Sequence, residues 1–234
     1  MTDNLPAVAA NNALVAGGAN PFLDAAEDMG ASSGALFLKF DGNTGDYTFG
    51  KDQEELELGT RVAVNHREIK RGWICWKDGE VMGETMTRII DGAPPAKSSL
   101  EPHGPYEDDK DGWREQSSVQ LRDIETGEEY LFKTSSKGGR IALANLVRDF
   151  GKEFAKHPGE LAIVELQHVS FDAKDEKGKK LGKKYAPMFK IAAWESEEAL
   201  VAKLEAAAAD EDEAPVEDVP VNTKGAAGGR RRNF

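Results

Sequence analysis

Between Ala35 and Trp194 the apolar residues recur at two spacings. ALFLKF (35–40), DYTF (46–49) and TRVAVNH (60–66) alternate apolar and polar positions, the period of a half-buried strand. GWICWKDGEVMGE (72–84) predicts a hairpin that turns at Asp78-Gly79. That turn sets Lys77 opposite Glu80, Trp76 opposite Val81, Cys75 opposite Met82 and Trp73 opposite Glu84. Since side chains alternate along a strand, Ile74, Trp76 and Val81 share one face, expected in the core. Trp73, Cys75, Lys77, Met82 and Glu84 share the other, expected to be partly wet. A segment over 91–118 with four prolines and many charges predicts a large loop.

VQLRDIETGEEYLFKTSS (119–136) predicts a second hairpin, turning at Thr126-Gly127. Val119, Leu121, Tyr130 and Phe132 then face the core, and Gln120, Arg122, Leu131 and Lys133 face outward. In 139–157 the apolar positions 141, 143, 146, 147, 150 and 154 describe one helix face, with Ser135-Ser136 as caps and Pro158-Gly159 as the stop. LAIVELQHVSF (161–171) and PMFKIAAW (187–194) predict two last strands around a lysine-rich loop. Phe189 and Ile191 point one way in the last strand, while Met188, Lys190 and Trp194 point the other. The order is a β meander, one helix and a final hairpin. It predicts a mainly β fold: an OB-fold-like five-stranded barrel with one helix between strands 3 and 4, with another small barrel or half-open sandwich as the rival.

Composition divides the chain into a flexible N-terminal arm (1–33), a globular domain (34–195), and a short helix with a disordered acidic tail (196–234). The net charge of −12 lies mostly on the flanks. Residues 195–234 hold ten acids and five bases, and residues 1–33 hold four acids and no base. The body keeps 28 acids against 25 bases and is close to neutral. One cysteine, Cys75, allows no intrachain disulfide and no cysteine-based zinc site, and suits a reducing cytosol. Four scattered histidines show no metal-ligand spacing, so neither metal nor cofactor is expected. The first residues make a poor signal peptide and no apolar run reaches the roughly 20 residues of a membrane span.

The bases cluster. DAKDEKGKKLGKKYA (172–186) holds Lys174, Lys177, Lys179, Lys180, Lys183 and Lys184, where the predicted barrel has its loop between strands four and five. Such lysines neutralise phosphates and give salt-sensitive, sequence-independent binding; the plainer alternative is a solubilising hairpin tip. Lys77, Arg122, Lys133 and Lys190 add cations on the outward strand faces. SSKGGR (135–140) puts Lys137 and Arg140 at a helix N-terminus that attracts anions, without the GxxxxGK[ST] spacing of a P-loop. Trp73 has two readings of equal weight, a platform for unpaired bases or a residue under the 91–118 loop. No catalytic constellation is present in the sequence, so an enzyme is not expected.

SEEALVAKLEAAAA (196–209) predicts a short helix, followed by acidic DEDEAPVEDVP (210–220) and the ending VNTKGAAGGRRRNF. The strand order, Trp73, the 174–184 lysines, the acids of 210–218 and Phe234 together resemble phage-type single-stranded-DNA-binding proteins. The resemblance covers the architecture from about residue 34 onward and no long motif. It implies a protein of the host cytoplasm that protects single-stranded DNA in phage DNA replication or recombination, and it leaves room for self-association. It also implies that Asp210, Glu211, Asp212, Glu213, Glu217, Asp218 and Phe234 compete with DNA and recruit replication or recombination proteins. Arg230, Arg231 and Arg232 depart from that pattern, because family tails stay acidic to the end. Two other classes compete: an acidic DNA mimic acting as an inhibitor, and a phage structural or assembly protein.

Overall fold

A computed structural model describes residues 34–106, 111–174 and 178–212. The expected N-terminal arm (1–33) and the acidic tail from Glu213 to Phe234 lie outside them. Among the described residues the chain is mainly β, a strongly curled half-barrel sheet with two helices. Nine strands form the sheet: β1 (Leu36–Phe40), β2 (Tyr47–Phe49), β3 (Glu54–Leu56), β4 (Arg61–Lys77), β5 (Glu80–Arg88), β6 (Gly112–Asp123), β7 (Glu129–Thr134), β8 (Glu160–Lys174) and β9 (Lys180–Ser196). The helices are α1 (Lys137–Glu153) and α2 (Glu197–Asp212). The sheet exceeds the five-stranded barrel expected: β1, β2 and β5 match strands read from the alternation and the turn but join the same sheet, and β3 adds an edge that was not expected.

The order β3-β2-β1-β7-β6-β4-β8-β9 turns on β4, which runs for 17 residues. Its first part pairs with β8 on one side and β6 on the other; its second part pairs with β5 and β6. An irregularity between Asn65 and Lys70 separates the two parts and lets one strand serve both. All neighbours are antiparallel except β1 and β7. The curl brings β2 against the far hairpin, where the Tyr47 hydroxyl donates to Gln167 O at 2.9 Å. The turn after β1 meets the same hairpin, because Tyr185 N–H donates to Gly42 O at 2.9 Å.

The core is the one that the alternation predicts. Val62, Val64, Val119, Leu121, Tyr130, Phe132, Leu166 and Phe189 line it, and α1 adds Ala142, Leu143 and Leu146. Ser136 caps α1 by accepting from Gly139 N–H at 3.1 Å, as the sequence suggested. Ile141 departs from the expected helix face: it is exposed, because α1 rests on β9 and leaves that side of its first turn over an open groove. The short helix after Ser196 is present as α2, capped by the Ser196 hydroxyl on Ala199 N–H at 3.2 Å. Its Leu200 packs with Ala63 and Ile163 in a second, smaller cluster. Among the described residues no helix is long and apolar enough to cross a membrane.

Two local expectations need correction. The β4–β5 hairpin turns at Asp78-Gly79, both with positive φ (54° and 84°), and Trp76 pairs with Val81 as predicted. A bulge then shifts the register, so Cys75 faces Gly83 and Trp73 faces Thr85. The expected core face holds only in part: Ile74 is buried as expected, but Trp76 is half-buried and Val81 is exposed. Cys75, expected on the wet face, is fully buried. The second correction concerns the lysine-rich loop. It is mostly strand, because β8 runs on to Lys174 and β9 begins at Lys180.

Candidate functional site

The inner face of the β4–β5–β6 ribbon carries Trp73 and Cys75 on β4, opposite Glu115 and Trp113 on β6. Residues 89–106 cross that face as a strap, and the aromatic side chains fasten it. The Trp73 indole N–H donates to Pro95 O at 2.9 Å, and the Trp113 indole N–H donates to Glu101 O at 2.8 Å. The Tyr106 hydroxyl accepts from His103 N–H at 3.1 Å and lies 3.6 Å from Cys75 Sγ. Lys97 places its ammonium 6.0 Å from the centre of the Trp73 ring. Trp73 is therefore half-buried beneath a strap, close to the second of its two readings. Lys77 stands near the tip of the same ribbon.

The first turn of α1 joins this ribbon to the far hairpin. Arg140 forms an ion pair with Glu115, the residue opposite Trp73. On the other side of the turn, Gly138 is so close to β9 that an added Cβ would come within 3.2 Å of Ala186 Cβ. Lys137, Arg140 and Trp73 thus share one neighbourhood, with Ala186 at its border.

Beyond Ala186 lies a groove of about 900 Å3 between α1 and the β8–β9 hairpin. Ile141 on α1, Val169 and Phe171 on β8 and Met188 on β9 supply its apolar lining. Lys137, Arg148, Lys152 and Lys190 supply its cations, against Asp149 and Glu153. Lys152 and Asp149 pair at 2.7 Å, which pulls down the Asp149 carboxyl, the hydrogen bond being the main cause.

From this groove the β8–β9 hairpin continues as an arm. Lys174, Lys180 and Lys183 on it are exposed, and among the described residues none of the three has a carboxylate partner. Lys183 lies 5.8 Å from the Tyr185 ring centre, and Lys184 bonds the Asn43 side-chain oxygen across the β1–β2 turn. Lys179 adjoins the start of β9 and Lys177 lies outside the described residues. Phe171, opposite Lys184 in the pairing, and Leu181 are exposed on the same arm.

The remaining predicted cations are on the outward sheet face, as read from the alternation, but each meets an acid. Arg122 pairs with Glu129 at 2.5 Å, and Lys133 with Glu84 at 2.7 Å. Lys190, which also lines the groove, is 3.9 Å from Glu165. Asp210, Glu211 and Asp212 belong to the last turn of α2, while Glu213, Glu217, Asp218 and Phe234 lie outside the described residues. The alternation placed Met188 beside Lys190 on the face away from Phe189, but it did not mark Val169, Phe171 and Ile141 as a surface. Each sits in an ordinary apolar position, and only the placement of α1 beside an overlong hairpin leaves them open. No protein-family model, curated protein or solved structure matches this chain.

Proposed function

We propose that this chain is a non-enzymatic single-stranded-DNA-binding protein that works by lysine contacts to phosphates and apolar contacts to bases. The observation that carries the reading is the β8–β9 arm: exposed lysines without carboxylate partners among the described residues, continuous with a groove that offers Phe171 and Val169. Unpaired strands present both phosphates and flat base faces, and a surface with both kinds of partner suits them. Double-stranded DNA offers its bases only at the cost of unstacking.

The topology supports the same reading. Taken alone, β4, β6, β7, β8 and β9 lie in the order β7-β6-β4-β8-β9, with α1 between the third and fourth of them. An OB-like core is built this way, and its fourth-to-fifth strand connection, here the lysine arm, is one of the loops that hold oligonucleotides. On this reading the chain serves phage DNA replication or recombination in the host cytoplasm, and the acids from Asp210 to Asp218 compete with DNA while the tail recruits partner proteins.

The test is a fluorescence-anisotropy titration of the full chain with oligo-dT and with duplex of equal length, at two salt concentrations. The expected result is preference for oligo-dT with affinity falling steeply as salt rises. Equal or tighter duplex binding, or none to either, overturns the proposal. Removing residues 210–234 is expected to tighten oligo-dT binding.

A further inference from the structure

We infer that Phe171 is the side chain on which a nucleobase stacks, an inference that rests on the single-strand reading above. Phe171 is 50% exposed on a strand otherwise dense with polar groups. It shares its face with Val169, itself 46% exposed, and with Ala186 and Lys184 on β9. Among the described residues no aromatic ring packs against it. The ring is free on the side where the groove opens.

Its surroundings commit the occupant. Lys184 lies directly across the ladder, and Lys137 and Lys190 line the same groove. A flat apolar ring flanked by ammonium groups matches an unpaired strand, in which each flat base is tethered to a phosphate. An apolar peptide side chain would use the ring without needing those cations. Trp73, the aromatic that the sequence drew forward, has its indole N–H committed to Pro95 O and carries Lys97 over its ring. Stacking therefore falls to the smaller ring on the other hairpin.

The experiment titrates the parent chain, F171A and F171W with oligo-dT and with an abasic oligonucleotide of the same length and charge. The parent is expected to bind oligo-dT about tenfold more tightly than the abasic strand, the lower range of one stacked base. F171A should lose about that factor for oligo-dT and keep its affinity for the abasic strand. F171W should retain binding, and its added indole emission should be quenched by oligo-dT and not by the abasic strand. Equal parent affinity for both strands, or equal losses for both in F171A, overturns the role of Phe171 and leaves strand binding intact. Failure of the parent to bind oligo-dT at low salt overturns both.

Discussion

Two hairpins of similar build leave this sheet, and they have opposite fates. The β4–β5 ribbon holds Trp73, Trp76 and Cys75, and the chain that follows it folds back as a strap over its inner face. Two indole N–H groups hold strap carbonyls there, and Cys75 is sealed beneath. The β8–β9 hairpin holds Phe171, Tyr185, Phe189, Trp194 and several lysines, and the chain that follows it leaves as α2. Among the described residues no strap covers Phe171 or Leu181, and both are exposed. Both hairpins carry aromatic rings; what separates them is the strap over one and, on the other, exposed lysines that have no carboxylate partner among the described residues. The side-chain donors explain the strap: an indole buried in a ribbon needs a partner for its N–H, and a nearby loop carbonyl supplies it.

The comparison is broken most severely at Gly72. A Cβ there would lie 1.9 Å from Thr85 O, a backbone atom of β5, so G72A cannot keep the β4–β5 pairing. Backbone displacement in a central strand is expected to cost about 3 kcal/mol or more, on the scale of the most damaging substitutions. Urea denaturation followed by circular dichroism measures it. A loss under about 1 kcal/mol would mean that the ribbon bends freely and is no structural pillar.

The converse change is made on the other hairpin. K174A/K180A/K183A removes three exposed ammonium groups that have no acid partner among the described residues and should leave the denaturation midpoint nearly unchanged. If those groups meet phosphates, affinity for oligo-dT at low salt should fall on the order of a hundredfold. The log–log salt slope should drop by about 2, since each contact to a single strand contributes roughly 0.7. Unchanged binding would erase the functional half of the comparison.

W73F sharpens it. The substitution keeps the ring and removes the donor to Pro95 O. Losing one half-buried hydrogen bond is expected to cost about 1 kcal/mol, with oligo-dT affinity held within about twofold. A tenfold loss of affinity with no loss of stability would return the stacking role to Trp73 and reverse the assignment of the two hairpins.

What the sequence conveys follows the same division. Alternation over 119–136 correctly separates Val119, Leu121, Tyr130 and Phe132 from Arg122 and Lys133, because that hairpin has one buried face throughout. Alternation fails in part at 72–84, where a one-residue bulge moves Cys75 and Trp73 to new partners and the strap dries Cys75 while Ile74 stays buried. No local signal announces either, since a bulge costs one residue of register and a strap is contributed from elsewhere in the chain. β3 escaped notice because Glu54-Glu55-Leu56 is acidic and short, and it forms only by adding to the edge of β2. The lysine cluster was legible as charge. Its geometry was not, because glycines and lysines read as loop while the cross-strand ladder from Asp172–Lys183 to Val169–Ala186 holds them in strands.

A control site lies at the far end of α1, where the middle of β4 meets the base of β9 and not the tip of either hairpin. His66 stacks on Phe150 with ring centres 4.8 Å apart and meets the edge of Phe154 at 6.1 Å. Its Nδ1 is buried without a hydrogen-bond partner among the described residues. Burial is the main cause that lowers its pKa below the ordinary 6.5, and the nearby Arg67 charge adds to it. The folded chain therefore binds this proton less readily than the unfolded chain does. Stability from His66 is complete above about pH 6.5 and is lost as pH falls through the lowered value. H66Q should remove that part of the acid-side decline, the smallest of the four effects, in urea midpoints measured from pH 8 to pH 5. Oligo-dT binding by folded H66Q at pH 8 should match the parent, because neither ring of this pair lines the groove. A pH profile of stability identical to the parent's would mean that the imidazole is solvated in the fold and that its stacking on Phe150 carries no protonation cost.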